Sequence, residues 1–532
     1  MSLRKQEAPL SPMVYHPRSG NFQLGSASHR VPLTAMCLTK FDVKKGNTVL
    51  WTTSLAPEHK LHNIEFKTLP AGIHESEQDW VNFVLPKEDG EFYYGVALFS
   101  QNGLRLVEEE QSHGVDRSRV EMYSLAVITD PQFRLDAMAE SKYYRWKPNM
   151  FICANEYKED LAQLMEQWLK SKSLEVLEHY FSYNKYQPDL GSPLLMRKWP
   201  GSSTLTGGSY EDYAQGSKDD AETFKPSKSW LYLLPEIIEQ LGPSIFTLWK
   251  ACLLRQRILV VNEHGQSFER TNALTYCLSV LSLIPLQLER KLAHANMPLQ
   301  TLYTIGIADL DHLTDMVSDA LHKSDPDGPH LPSFIACTSD EILAERGELF
   351  DMVVKLSNYH GVKVYAHGTE VRATPHEWES FQYLSANFLY REYSEVEMNG
   401  YMKNVESLSW SQYIIDALYW WSTAGYLQPP YHNTSNLLAN CDRVDEKNEV
   451  EIVLGIVEYF HSKITLLYEK LHEIITDPDA DASDRIAVPS LFLAECGLDC
   501  FSFQDHEFLK TLCAQWFNVH IEIRVADFNV FC

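Results

Sequence analysis

The stretch Leu253-Leu254-Arg255-Gln256-Arg257-Ile258-Leu259-Val260-Val261 decides the fold class of this 532-residue chain. Two leucines and an arginine lead into a short apolar run rich in β-branched side chains. Polar residues 262–266 break it, and an apolar segment of helix length follows over 273–288. A short apolar run bounded by turn residues reads as a strand buried on both faces, the kind that a helix-covered sheet contains. The pattern predicts a strand over 253–261 and a helix over 271–283. Around this pair lie a helix signal at 233–241 and strand signals at 302–307, 334–337 and 349–356. Alternation of this kind predicts a mostly parallel sheet with helices on its faces.

Working outward, residues 33–41 and 49–51 flank Lys44-Lys45-Gly46-Asn47, a hairpin with a glycine in its turn. Strand signals recur at 81–85, 92–99 and 122–128. A helix follows with Leu161, Leu164, Met165, Trp168 and Leu169 at helical spacing. Residues 184–228 are rich in Pro, Gly and Ser and read as a linker. Beyond about 380 the pattern turns helical. Residues 410–424 predict a buried helix, 451–475 a long amphipathic one, and 519–525 alternate as a late strand. The expected fold class is a multidomain α/β and α+β chain. It comprises a loose tail (1–30), an α+β domain (31–183), the linker (184–228), a central α/β domain (229–378) and a mainly helical module (379–532).

The composition is ordinary globular material, 45% hydrophobic and 22% charged. Lys and Arg number 46 against 72 Asp and Glu, a net charge of −26. That field repels nucleic acid and anionic lipid, which argues against nucleic acid as a partner. The ten cysteines form no CxxC pair, so free, mostly buried thiols in a reducing, cytoplasmic setting are expected. No apolar run reaches membrane-spanning length, and neither Met1-Ser2-Leu3 nor Phe531-Cys532 matches a lipidation signal.

Catalytic motifs are missing too. There is no P-loop, nucleophile elbow or dinucleotide fingerprint. Each His-Glu pair lacks the second histidine of a zinc helix. Asp477-Pro478-Asp479-Ala480-Asp481 begins like a calcium loop, but Ala482 and Val488 stand where glycine and glutamate are needed. No metal and no cofactor are therefore expected. The tryptophans of Tyr419-Trp420-Trp421 read as helix packing.

Four phrases, in this order along the chain, resemble the DENN-domain superfamily and its LCHN-like branch. They are Ile64-Glu65-Phe66-Lys67-Thr68-Leu69-Pro70-Ala71-Gly72-Ile73-His74, the opening strand with its helix, the segment 334–343 with 349–356, and 414–425 with its paired tryptophans. The resemblance covers residues 30–532. It implies a longin-like amino-terminal domain, a central DENN domain and a carboxy-terminal helical module. It also implies action on small GTPases of the Rab type in membrane trafficking, foremost as a guanine-nucleotide exchange factor, which needs no covalent chemistry. Protein partners on vesicle or organelle membranes, reached without transmembrane insertion, belong to the same expectation.

Some DENN relatives carry an arginine finger on the longin-like domain, and Arg117 resembles it in Val115-Asp116-Arg117-Ser118-Arg119. Such a finger would make the chain a GTPase-activating protein. Otherwise Arg117 and Arg119 balance Glu108-Glu109-Glu110 on a solvated turn, with Arg119 a candidate GTPase contact. Asp309 and Asp311 resemble the acidic pair after the second central strand of DENN domains; they either contact a GTPase or cap the following helix. A non-catalytic DENN scaffold is the third reading.

Overall fold

The computed structural model describes residues 31–55, 61–87, 90–103, 120–132, 148–185, 229–262, 266–292, 298–322, 332–357, 361–389, 393–426, 448–476 and 485–524. The tail 1–30, nearly all of the linker, and Arg117 and Arg119 lie outside them. Five antiparallel strands open the fold: β1 (Leu33–Asp42), β2 (Gly46–Ser54), β3 (Gln78–Pro86), β4 (Phe92–Gln101) and β5 (Met122–Thr129). One face is covered by α2 (Lys158–Ser171) and α3 (Glu175–Asn184), the other by α1 (Ile64–Thr68). On α2 the apolar Leu161, Leu164, Met165 and Trp168 fall on one face, so the helix docks by a single stripe.

The central strands are β6 (Ile258–Asn262), β7 (Gln300–Thr304), β8 (Phe334–Thr338) and β9 (Met352–Ser357). They run parallel in the order β9-β6-β8-β7, as the alternation predicts. The antiparallel strands β10 (Gly361–Ala366) and β11 (Thr369–Val371) extend the β9 edge. At the other edge β7 meets β3 through the pair Phe83–Tyr303, so both strand sets form one eleven-stranded sheet. Phe83 lies across Gly95 on β4, where a methyl group would collide with its ring. Tyr303 takes a left-handed φ of 57° at a slip in the β7–β8 register, and its hydroxyl donates to the Phe151 carbonyl at 2.8 Å.

Helices flank the central strands: α4 (Leu234–Leu241), α5 (Ser244–Leu253), α6 (Phe268–Leu281), α7 (Leu310–His322) and α8 (Glu341–Ala344). The carboxy-terminal region is helical, with α9 (Pro375–Leu384), α10 (Glu395–Met402), α11 (Trp410–Thr423), α12 (Glu449–Ile475), α13 (Leu491–Glu495) and α14 (Phe503–Phe517). Its strands β12 (Arg485–Pro489) and β13 (His520–Arg524) pair parallel, the latter being the late strand. Among the described residues no helix is long and apolar enough to cross a membrane.

Three local expectations need correction. The strand expected over 253–261 begins only at Ile258. Leu253 ends α5, and Arg255, at φ 52°, turns the chain out of that helix. Arg257 is fastened to Asp351 through its backbone N–H, Nε and Nη2, which places both residues just ahead of their strands. For the same reason the strand expected over 349–356 starts at Met352. The helix at 410–424 forms, but it is exposed rather than buried, and its paired tryptophans face solvent.

The carboxy-terminal region is held to the centre by a buried ion cluster. Lys250 on α5 reaches Glu377 on α9 at 2.7 Å and also Asp505 on α14. Burial pulls the Lys250 pKa down, but Asp505 and Glu377 together outweigh it and raise the value. Thr374 and Glu377 cap α9 reciprocally, and Thr247 donates to the same carboxylate at 3.1 Å. Removing one partner of such a cluster leaves a buried charge uncompensated. Lys250→Met is therefore expected to cost about 3–5 kcal/mol of unfolding free energy in urea titration. Lys250→Met with Glu377→Gln and Asp505→Asn should recover much of that loss.

Beside the cluster, burial and the charge of Lys463 hold the His376 pKa down to about 4, from its ordinary 6.5. The unfolded chain takes up this proton first, so stability falls as pH drops from about 6.5 toward 4. Thermal unfolding of His376→Gln across this window should show a shallower decline than the parent protein.

Candidate functional site

The seam between the first five strands and the central strands is built around Asp79 on β3. Its carboxylate accepts from Ser267 Oγ (2.9 Å), Phe268 N–H (2.7 Å) and Glu269 N–H (3.3 Å), the first turn of α6. The Ser267 side chain makes no capping bond, so a carboxylate from another element satisfies the orphan N–H groups of this helix. Burial raises the Asp79 pKa against these hydrogen bonds. Next to it Lys158 on α2 reaches Glu269 at 2.7 Å, its ammonium lying between the Trp80 and Trp230 rings. Burial lowers the Lys158 pKa, and Glu269 opposes that shift.

Farther along the seam, the carboxyl ends of β7 and β8 open onto α1 and the loop after it. Open α/β sheets bind ligands outside the carboxyl ends of their strands. Lys67 on α1 pairs with Asp309 at 2.6 Å, both side chains nearly buried. Asp309 also accepts from the Gly306 N–H at 2.9 Å, closing the turn into α7. Asp340 accepts from the Ile307 N–H at 3.3 Å, and its pKa is raised by burial. Ser339 donates to the Ala71 carbonyl. His312 packs edge-on against Phe92; burial and then Lys67 lower its pKa.

Three apolar side chains stand in solvent on these same segments: Phe66 (48% exposed), Ile307 (50%) and Ile342 (61%). Each lies within three positions of a residue that stitches the seam (Lys67, Asp309 and Ser339 respectively), so the packed polar contacts carry an apolar rim. Nothing in the arrangement resembles a nucleophile with a base. Among the described residues no group of three or more His, Cys, Asp or Glu could hold a metal ion. The eight described cysteines are buried and free, and burial pushes the Cys37, Cys252 and Cys337 thiols up to about 12.

Of the candidate residues, Asp309 sits within the seam and Asp311 is exposed on the first turn of α7. Arg117 and Arg119, ahead of β5, lie outside the described residues. Sequence reasoning missed Lys67, Ser339, Asp340 and the three apolar residues as site residues. A signal was present: the phrases 64–74 and 334–343 that carry the family resemblance are the two that meet here.

A family model described as DENN domain-containing protein 11 matches residues 36–366. A Saccharomyces cerevisiae relative, Uncharacterized protein ANR2, is 31% identical over 526 residues, 94% of each chain. DENN domain-containing protein 11 of Rattus norvegicus is 24% identical over 67% of this chain and 64% of its own length. The Xenopus laevis protein of that name is 23% identical over 61% of this chain and 60% of its own length. The chain thus spans less than two thirds of those vertebrate relatives and nearly all of the yeast one. It belongs to the DENN domain-containing protein 11 family, as the four phrases lead one to expect.

The Lys67–Asp309 pair lends itself to a double-mutant cycle. Lys67→Met and Asp309→Asn, singly and together, should return a coupling of about 1–2 kcal/mol in chemical denaturation. Hydrogen exchange in α1 and the first turn of α7 should rise in each single variant.

Proposed function

We propose that this chain regulates small GTPases of the Rab type in membrane trafficking, as a guanine-nucleotide exchange factor that binds the empty GTPase across the seam. DENN-family proteins are generally Rab regulators, and the chain belongs to that family. The observation that carries the reading is the apolar rim of Phe66, Ile307 and Ile342 at the carboxyl ends of β7 and β8, with Asp311 exposed beside it. In this reading residues 31–183 form the longin-like domain, 229–378 the DENN domain and 379–532 the carboxy-terminal module. The protein works in the cytoplasm and reaches organelle surfaces through its GTPase.

Exchange needs no bond to be made or broken. A nucleotide held at picomolar affinity is bound by roughly 16 kcal/mol. The factor offsets part of this by binding the empty GTPase better than the loaded one, and reciprocity weakens the nucleotide by the same factor. Switch loops are displaced by contact with a surface, and burial of an apolar rim supplies that contact without one indispensable side chain. Asp309 and Asp311 contribute acidic contacts, and Arg119 a basic one.

Release of fluorescent nucleotide from a panel of purified Rabs tests this directly. At least one member should be accelerated, and Ile307→Arg with Ile342→Arg should cut that acceleration more than about tenfold, worth about 1.4 kcal/mol. Thermal stability should be unchanged by this pair of surface substitutions. A panel with no accelerated member sinks the exchange reading. Stimulated GTP hydrolysis abolished by Arg117→Ala would assign a GTPase-activating role instead, and nucleotide-independent pull-down alone would assign a scaffold.

A further inference from the structure

Helix α11 turns its apolar side outward. Trp410, Tyr413, Ile414, Ala417, Leu418, Trp420 and Trp421 are all exposed, Trp410 by 81% and Trp421 by 77%. At 3.6 residues per turn these positions span an arc of roughly 160°. Gln412, Ile415, Asp416, Tyr419 and Thr423 occupy the less exposed side, and Ile415 packs against the main core. The outward arc carries no ionised group.

We propose that this arc is the contact between two copies of the chain, packed antiparallel about a two-fold axis through Ala417. The order of side chains along the arc supports self-pairing. The smallest residue stands at the middle of the helix, and large ones stand on both sides of it. An axis through Ala417 sets Tyr413 opposite Trp421 of the second copy and Ile414 opposite its Trp420. A methyl at the axis lets the two helices approach at the close end of the usual 8–10 Å, while the rings interleave on either side. A contact of this symmetry is isologous and closes at two copies.

The area is of the right size. Aromatic side chains bury 150–250 Å² each, so Trp410, Tyr413, Trp420 and Trp421 at their observed exposures offer roughly 600 Å². Ile414 and Leu418 add to this, and so does exposed Phe503, whose neighbour Gln504 hydrogen-bonds Glu406 close to the start of α11. A standard interface takes about 800 Å² from each partner. Charge favours a protein partner over a lipid surface. Helix α11 contains no Lys or Arg, Glu395 and Glu397 stand at the start of α10, and a chain of net charge −26 is repelled by an anionic leaflet. Two such acidic chains repel each other less across a neutral face than across an acidic one, and this arc is neutral.

Sedimentation velocity of the full chain across micromolar concentrations is the test, read beside circular dichroism and the melting temperature. The parent protein should sediment as a dimer. Ala417→Glu and Ala417→Lys each place like charges at the axis on an exposed position, so each should sediment as a folded monomer. Their equimolar mixture should restore the dimer, because opposite charges then face one another. Trp421→Ser should weaken the dimer at least tenfold without charge. A monomeric parent protein overturns the proposal, as does a dimer that persists in both Ala417 variants. Flotation of a monomeric chain with phosphatidylcholine vesicles would overturn it in favour of a lipid contact.

Discussion

A carboxylate on one set of strands caps a helix that belongs to the other. Asp79 on β3 holds the first turn of α6, and no side chain local to that turn takes its place. An unsatisfied helix terminus is costly when buried, and so is a buried carboxylate without donors. Each problem is solved by the other, but only at one relative position of the two elements. Lys158 and Glu269 then close a second pair over the cap, shielded by Trp80 and Trp230. A single strand pair, Phe83 with Tyr303, would leave the two halves of the sheet free to pivot. The capped helix removes that freedom and thereby sets how α1 meets the carboxyl ends of β7 and β8.

The same logic operates at the other side of the centre with a different device. Helices α5 and α6 are enclosed almost all round, α5 by the carboxy-terminal helices and α6 by both strand sets. Phe246 stacks on Phe460, and Trp516 donates to the Leu253 carbonyl at 3.0 Å. An enclosed helix has no solvated face for a lysine, so Lys250 is tolerated only with two carboxylates delivered by α9 and α14. Buried ion clusters contribute little net stability compared with apolar packing, yet they penalise any other docking of the elements that bring the charges. The carboxy-terminal region is therefore specified by electrostatics as well as by apolar area.

How much of this could be read beforehand follows from what each residue's environment writes into the chain. Helices α2 and α12 were legible because each has a buried and a more exposed side and so a period, whereas β1, β3, β4 and β5, buried on both faces, were legible as short apolar runs bounded by turn residues. Helix α5 left no such mark: every residue from Ser244 to Leu253 is buried, and its last leucines were read as the opening of β6. The short antiparallel strands β10 and β11 follow β9 in turn, each within a few positions of the strand before it, and were missed. Helix α11 misled in the opposite way, since apolar residues at helical spacing say that a face will be covered but not by what. The site was legible only in part. Asp309 and Asp311 were found by their place after a strand, whereas the Lys67 partner of Asp309 lies 242 positions away and no local pattern joins them.

Charge decides what the exposed apolar residues can be for. With 72 acidic against 46 basic residues, most of the surface repels other acidic surfaces at the distances that salt does not screen. At the seam Lys67 offsets Asp309, and Phe66, Ile307 and Ile342 stand on segments that also carry the exposed acids Asp311 and Glu341, which can steer a basic partner. On α11 the outward arc is neutral by composition. Apolar side chains grouped in this way are not scattered leucines of an ordinary surface, which need no explanation. The two patches differ in a way that separates their uses. The seam adds acid to its apolar rim and so discriminates among partners by charge, whereas the arc on α11 carries no charge and can discriminate only by shape.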